Sequence, residues 1–188
     1  MNLPALAAKY HCDKLENHSY ISFYQDFFPG RNVRKLLEIG IGFEDLMRPF
    51  VSEYVHGASL LMWRDYLPNA QIYGIDIRED AMLTADRIHT RVVDQHIMTE
   101  MEDMWDAWGT DFDVVINDAS HITEDQLRTA KAIVPKLQPG SAYIIEDVSE
   151  PQVLLQALAP HVMTRRGIEM NVRMFGKRPD DSLLVVTL

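Results

Sequence analysis

Cysteine is nearly absent: Cys12 stands alone among 188 residues. A lone cysteine excludes an internal disulfide and suits a reducing compartment, so a cytoplasmic location is expected. Long apolar runs are missing as well. No stretch reaches the roughly 18 apolar residues that a membrane span needs. The opening MNLPALAAKYHCDK has no basic leader and only a short apolar stretch, which is not the pattern of a secretory signal. Positive charge is sparse, with 18 Lys and Arg against 28 Asp and Glu and a formal net charge of −10. Phosphate binding needs clustered Lys and Arg, so nucleic acid and anionic membranes are not expected partners. Arg165-Arg166 and Lys177-Arg178 are the tight basic pairs near the end. Internal repeats and low-complexity tracts are also lacking.

What is present suffices for a core. The chain is 47% hydrophobic and 24% charged, the balance of one globular domain spanning 1–188. Apolar strand-like runs alternate with helical segments, which predicts an α/β fold with a mainly parallel sheet. The runs are Lys35–Gly40, Gln71–Asp76, Ile88–Val93, Phe112–Asn117, Ala142–Glu146, Ile168–Phe175 and Ser182–Leu188. The last two are joined by the short GKRPDD. That is too short for a crossover helix, so this pair is expected to be antiparallel. Ser59 reads as the N-cap of SLLMWRDYL, which Pro68 stops. Thr123-Glu124-Asp125-Gln126 reads as a capping box for a helix reaching about Leu137. Glu150–His161 is a further helix with Pro151 in its first turn. The first 30 residues lack strand character and read as helical segments over one end of the sheet. Tyr10, Asp13, Lys14, His18 and Tyr20 there are candidates for a lid. Met62, Trp63, Trp105 and Trp108 read as packing residues.

The segment Leu36-Leu37-Glu38-Ile39-Gly40-Ile41-Gly42 is a buried strand running into a glycine turn. In an open α/β sheet the ligand crevice lies at the carboxyl ends of the strands. Gly40 and Gly42 let a ligand approach the backbone. Asp76, ending the next strand, can accept bonds from a ribose diol. Asp94 and Gln95 end the third strand and can flank an adenine. A dinucleotide fingerprint would need G-x-G-x-x-G, but Glu44 and Asp45 stand where its last glycine and pyrophosphate would lie. Glu38 favours a cationic ligand, and S-adenosylmethionine carries a sulfonium and an ammonium. This set resembles the class I S-adenosylmethionine-dependent methyltransferases, whose Rossmann-like sheet of seven strands also ends in an antiparallel strand.

The decapeptide DVVINDASHI (113–122) delivers Asp118 to the same edge, with Asn117 before it as a further cofactor-binding candidate. SAYIIEDV delivers Glu146 and Asp147. Three carboxylates then converge with nothing basic beside them in sequence. Like charges brought together are costly, so a cation is the natural resolution. Oxygen ligands suit Mg²⁺, and no Cys/His cluster supports zinc. A metal lowers the pKa of an acceptor hydroxyl, and His121 can take the proton. An ordinary strand end with a capped turn is the competing interpretation of this segment.

KYHCDK, SLLMWRDYLPNAQIYGIDI, VINDASHI and YIIEDV together resemble the metal-dependent sugar O-methyltransferases of the mycinamicin type. The resemblance runs from about Lys9 to Val148. It implies Mg²⁺ ligands at Asp118, Glu146 and Asp147, and a general base at His121. Asn117 and Ala119 depart from the family's Asp-Asp-Gly-Ser-His pattern. The stretch FEDLMRPFVSEYVHGA is longer and poorer in glycine than the family's, and His11 and Cys12 replace small residues. The family also carries substrate-binding elements beyond these 188 residues, so the reaction carries over better than the substrate does. The expected activity is Mg-assisted methylation of a small-molecule hydroxyl, on a sugar or a glycosylated natural product. The resemblance also allows a homo-oligomer. A metal-independent methyltransferase and a non-enzymatic S-adenosylmethionine-binding protein stay open at this level.

Overall fold

The computed structural model describes residues 2–51, 53–162, 167–176 and 178–188. Arg165-Arg166, and Lys177 of the second basic pair, lie outside the described residues. Short helices open the chain: α1 (Leu3–Lys9), α2 (Asp13–Glu16) and α3 (Tyr20–Phe27). Then follow β1 (Lys35–Ile39), α4 (Glu44–Met47), α5 (Ala58–Tyr66), β2 (Gln71–Asp76), β3 (Ile88–Val92) and α6 (Met98–Trp108). The second half holds β4 (Val114–Asn117), α7 (Thr123–Ile133), β5 (Ala142–Ile145), α8 (Pro151–Val162), β6 (Glu169–Met174) and β7 (Ser182–Thr187). All seven predicted strands form, each within two residues of its expected bounds.

The strands build one sheet in the order β3-β2-β1-β4-β5-β7-β6. β1 to β5 run parallel, and β7 is antiparallel to both β5 and β6. The register aligns Ile39 with Ile75 on one side and with Asn117 on the other, and Asn117 with Ile145. The next residues, Gly40, Asp76, Asp118 and Glu146, therefore leave the sheet along one edge.

Successive strand residues face opposite sides of a sheet. Leu36, Val114, Ile116 and Ile144 face one buried layer, which α1, α3 and α5 complete with Leu6, Tyr24 and Trp63. Leu37, Ile39, Val115, Tyr143 and Ile145 face the other, closed by α6, α7 and α8 with Trp105, Ala130 and Leu158. Glu38 alternates onto the first face, as do Asp118 and Glu146 beyond their strands. That parity decides what the three acids meet.

Two helix starts differ from expectation. Gly57, not Ser59, is the N-cap of α5, at φ 67°. Ser59 lies inside the helix and its hydroxyl bonds the buried Glu38. The left-handed entry favours glycine, and a Cβ at Gly57 would press on the tip of the Leu83 side chain at 2.6 Å. The capping box at Thr123 does not form. Ile122 is the N-cap of α7, and Thr123 turns its hydroxyl to Glu150 at 3.3 Å. Ser120 closes the turn instead, accepting from the Ile122 amide at 3.3 Å and donating to Asp125 at 2.9 Å. α7 also stops at Ile133, and a 3-10 turn over Val134–Lys136 follows, because Pro135 cannot donate to a continuing helix.

Candidate active site

A cavity of about 560 Å³ opens along the carboxyl edge of the sheet. That size lies within the range of small-molecule sites. Gly40, Gly42, Asp76, Asp94, Gln95, Asp118, His121 and Asp147 all line it. Glu38, Asn117 and Glu146 do not; they are buried beneath it.

One end is built around the glycine turn. Asp76 Oδ2 accepts from the amides of Ile41 at 3.0 Å and Gly42 at 3.2 Å, and Oδ1 accepts from Arg78 at 3.1 Å. The carboxylate thus fixes the turn, and Oδ1 keeps a lone pair for a ligand hydroxyl. Gly40 has φ 90°, and a Cβ there would lie 2.3 Å from the Asp118 carbonyl oxygen. Its smallness serves the close approach of two strand-end loops, not room for a ligand. Gly42 faces Met47 and Tyr54, side chains of the cavity's cover. Further along, Asp94 Oδ1 accepts from the His96 amide at 2.8 Å. Gln95 accepts at its amide oxygen from the Thr129 hydroxyl at 2.9 Å. Ile77 and Val93 supply apolar wall beside them.

The other end holds the acids. Asp118, His121 and Asp147 bring one ligand atom each within 4.8 Å of one another. His121 Nε2 is 3.1 Å from Asp147 Oδ2. Asp147 leaves β5 in the left-handed region, at φ 52°, which aspartate tolerates better than most residues. Its Oδ1 accepts from the Tyr20 hydroxyl at 2.6 Å and lies 3.2 Å from His18 Nδ1. Burial, reinforced by the Asp118 charge, raises the Asp147 carboxyl to about 6, against the opposing pull of His121 and His18. Half-buried Asp13 also lines the cavity, and burial raises its carboxyl too.

The convergence is not free of basic groups. Lys14, fully buried, places its ammonium 2.5 Å from Asp118 Oδ2, 2.6 Å from Glu146 Oε2 and 3.1 Å from Glu38 Oε1. Burial alone would lower the Lys14 pKa, but Asp118, Glu146 and Glu38 outweigh it and hold it well above the ordinary value. Glu146 gives its other oxygen to the Tyr24 hydroxyl. Glu38 Oε2 accepts from Trp63 Nε1 at 2.9 Å. The cation that Glu38 faces is thus internal. Asn117 alternates to the opposite face and donates to the Tyr143 hydroxyl at 2.9 Å.

Of the lid candidates, Asp13 and His18 line the cavity, with His11 and Asn17 from the same segment. Tyr10 lies at the outer end, bonded to Asp65 at 2.6 Å. Arg178 and Asp180, from the β6–β7 loop, close the remaining side. Sequence reasoning did not single out Asp180 or His96, and read Arg178 only as half of a basic pair. Their signal is topological: β7 is antiparallel, so the loop before it returns to the strands' carboxyl edge.

The order 3-2-1-4-5-7-6, with its single reversed strand and a cleft over a glycine turn, is the class I S-adenosylmethionine-dependent methyltransferase fold. Within that class, the chain resembles the mycinamicin-type sugar O-methyltransferases in both sequence and structure. It is 34% identical over 148 residues to 8-demethyl-8-alpha-L-rhamnosyl tetracenomycin-C 2'-O-methyltransferase of Streptomyces olivaceus, an alignment covering 78% of this chain and 37% of that protein. It is 35% identical over 118 residues to mycinamicin VI 2''-O-methyltransferase of Micromonospora griseorubida, covering 61% and 27%. The methyltransferase MycE, solved with Mg, S-adenosylhomocysteine and mycinamycin VI, superposes with a TM-score of 0.77 at 25% identity, over all of this chain and 54% of that one. The chain therefore spans about a third of the length of the curated relatives it matches. No family model matches it.

Proposed function

We propose that this chain transfers a methyl group from S-adenosylmethionine to a hydroxyl of a small molecule, with a divalent ion assisting. A sugar or sugar-bearing natural product is the acceptor favoured by the relatives' own substrates. One observation carries the reading: Asp118, His121 and Asp147 converge on the wall of a cavity whose other wall is the Gly40–Gly42 turn with Asp76.

The residues suit both groups. The cavity has the volume for a nucleoside-sized cofactor, and Asp76 Oδ1 and Asp94 offer acceptors to a ribose and an adenine. S-adenosylmethionine, when bound, supplies the electrophilic methyl carbon. At the other end, Asp118, His121 and Asp147 bring ligand atoms within 4.8 Å of one another, close enough to share one cation. Oxygen donors favour a hard ion such as Mg²⁺, held by Asp118 and Asp147. Such an ion lowers the pKa of an acceptor hydroxyl.

The chain's own part is orientation and proton transfer. With His121 Nε2–H directed at Asp147 Oδ2, 3.1 Å away, the imidazole is fixed in one tautomer. Nδ1 is then the basic nitrogen that takes the hydroxyl proton as oxygen attacks the methyl carbon. His121 is half exposed, as a group meeting a substrate must be. The test is transfer of isotope-labelled methyl from S-adenosylmethionine to a panel of glycosylated acceptors. Turnover should stop in excess chelator and fall roughly 10²–10⁴-fold in His121→Gln, with S-adenosylhomocysteine affinity kept. Full turnover in chelator would remove the metal from the mechanism.

A further inference from the structure

Among the described residues the sheet ends in β3 on one side and β6 on the other, and each keeps one open edge. An open edge is a row of main-chain donors and acceptors, and a protein either guards it or pairs it. We infer that β6 is a pairing edge: two copies of this chain join antiparallel through β6, about a two-fold axis at Asn171, into one continuous sheet. The inference stands apart from the cofactor and metal reading above.

The main chain of β6 is set for this. The Phe175 amide donates to the Asp181 carbonyl across the β6–β7 ladder at 2.9 Å. Arg173, Asn171 and Glu169 follow at every second residue, opposite Leu183, Val185 and Thr187. Bonded and unbonded pairs alternate in an antiparallel ladder, so Met170, Val172 and Met174 turn their amides and carbonyls to the open side. A two-fold at Asn171 sets Met170 opposite Val172 of the second copy, where these outward groups exchange bonds. It also sets Glu169 opposite Arg173 of the second copy, twice over. Both charge pairs fall at unbonded positions, where facing Cα atoms are only about 4.5 Å apart and side chains meet most closely. Glu169, Asn171 and Arg173 are exposed and share one face of the strand. Met170 and Val172 share the other, packed against the layer that α8 closes. Met174, exposed by 74%, is set opposite Ile168 of the second copy. A two-fold at Met170 or Val172 would instead set Glu169 opposite Asn171 or Phe175 and lose both charge pairs. β3 offers no such match, because the same operation about Thr90 sets His89 opposite Arg91. Charges can guard an edge, but across a two-fold only charges of one sign repel. Opposite signs four residues apart attract.

The experiment is sedimentation equilibrium of the full chain from micromolar to millimolar concentration. It compares wild type, Glu169→Arg, Arg173→Glu and the double swap Glu169→Arg with Arg173→Glu. Every change is at an exposed side chain, and circular dichroism checks that each variant is folded. The wild type should be a reversible monomer–dimer mixture, since one short strand makes a small interface. Either single change sets like charges opposite each other and should weaken the dimer roughly tenfold or more. The double swap restores opposite charges and should bring the affinity back to within about threefold of wild type, the coupling that a general effect of charge would not give. Val172→Pro removes an outward amide that the β7 ladder does not use, and should weaken the dimer as well. A wild type that stays monomeric throughout overturns the inference. So does an oligomer that neither single change weakens, because its contact then lies elsewhere. A double swap no stronger than the single changes overturns the pairing of Glu169 with Arg173, and with it the two-fold at Asn171.

Discussion

At Gly40 the limiting quantity is space. A methyl group there would lie 2.3 Å from a backbone oxygen of Asp118, and φ 90° already disfavours any side chain. Neither neighbour is a flexible side-chain tip, so Gly40→Ala should cost roughly 2–4 kcal/mol, read as a lower denaturant midpoint with an unchanged slope. Trp63 sets a different limit. Its indole N–H is a partner of buried Glu38 at 2.9 Å. Trp63→Phe should cost about 1–3 kcal/mol for the unpaired oxygen, beyond any loss of packing. At Asp118 the demand is chemical. Asp118→Ala should abolish any magnesium effect on turnover or ligand binding. That Gly40, Asp76, Asp118, His121 and Asp147 gather at one sheet edge was legible because each stands at or just past the end of an apolar run. The burial of Glu146 beneath the cavity that Asp147 lines was not. It depends on one backbone dihedral and on a lysine remote in sequence.

At the scale of elements, the N-terminal helices are fastened to α5 by a small polar cluster. Tyr10, Lys9 and Arg64 all bond Asp65. Burial acts to raise the Asp65 carboxyl, but these bonds outweigh it and hold it at about 2, below the ordinary 3.8. A depressed carboxyl stabilises the fold above its unfolded pKa, and that contribution fades as pH falls from about 4 toward 2. The group lies at the surface, partly exposed among three partners, where such pairs contribute little, so the effect should be small. Asp65→Asn should lower stability at pH 7 by a few tenths of a kcal/mol and flatten the acid limb of the stability curve, measured by denaturation at stepped pH. Strands were more legible than helix starts for a physical reason. Period-two burial is dictated by two packed faces, whereas a cap is a contest among nearby groups. Gly57 won it over Ser59 because the entry needs a left-handed residue, and Ile122 took the cap position from Thr123, with the Ser120 hydroxyl closing the turn by bonding Ile122 and Asp125.

Across the whole molecule, the sheet is the frame and the N-terminal helices complete the site. Parallel strands in register carry Gly40, Asp76, Asp118 and Glu146 to one edge. The short link before β7 already required the reversed strand. The N-terminal helices over one end of the sheet, with Asp13 and Lys14 among the lid candidates, were also expected; what sequence could not convey is that α2 inserts Lys14 among the acids. The central claim is that cofactor and metal share this single cavity. Calorimetric titration with S-adenosylhomocysteine, with and without Mg²⁺, on wild type and on Asp118→Ala, tests it most directly. Binding by the wild type, with a magnesium dependence that Asp118→Ala loses, is the predicted result. No binding of S-adenosylhomocysteine under either condition would contradict the claim outright.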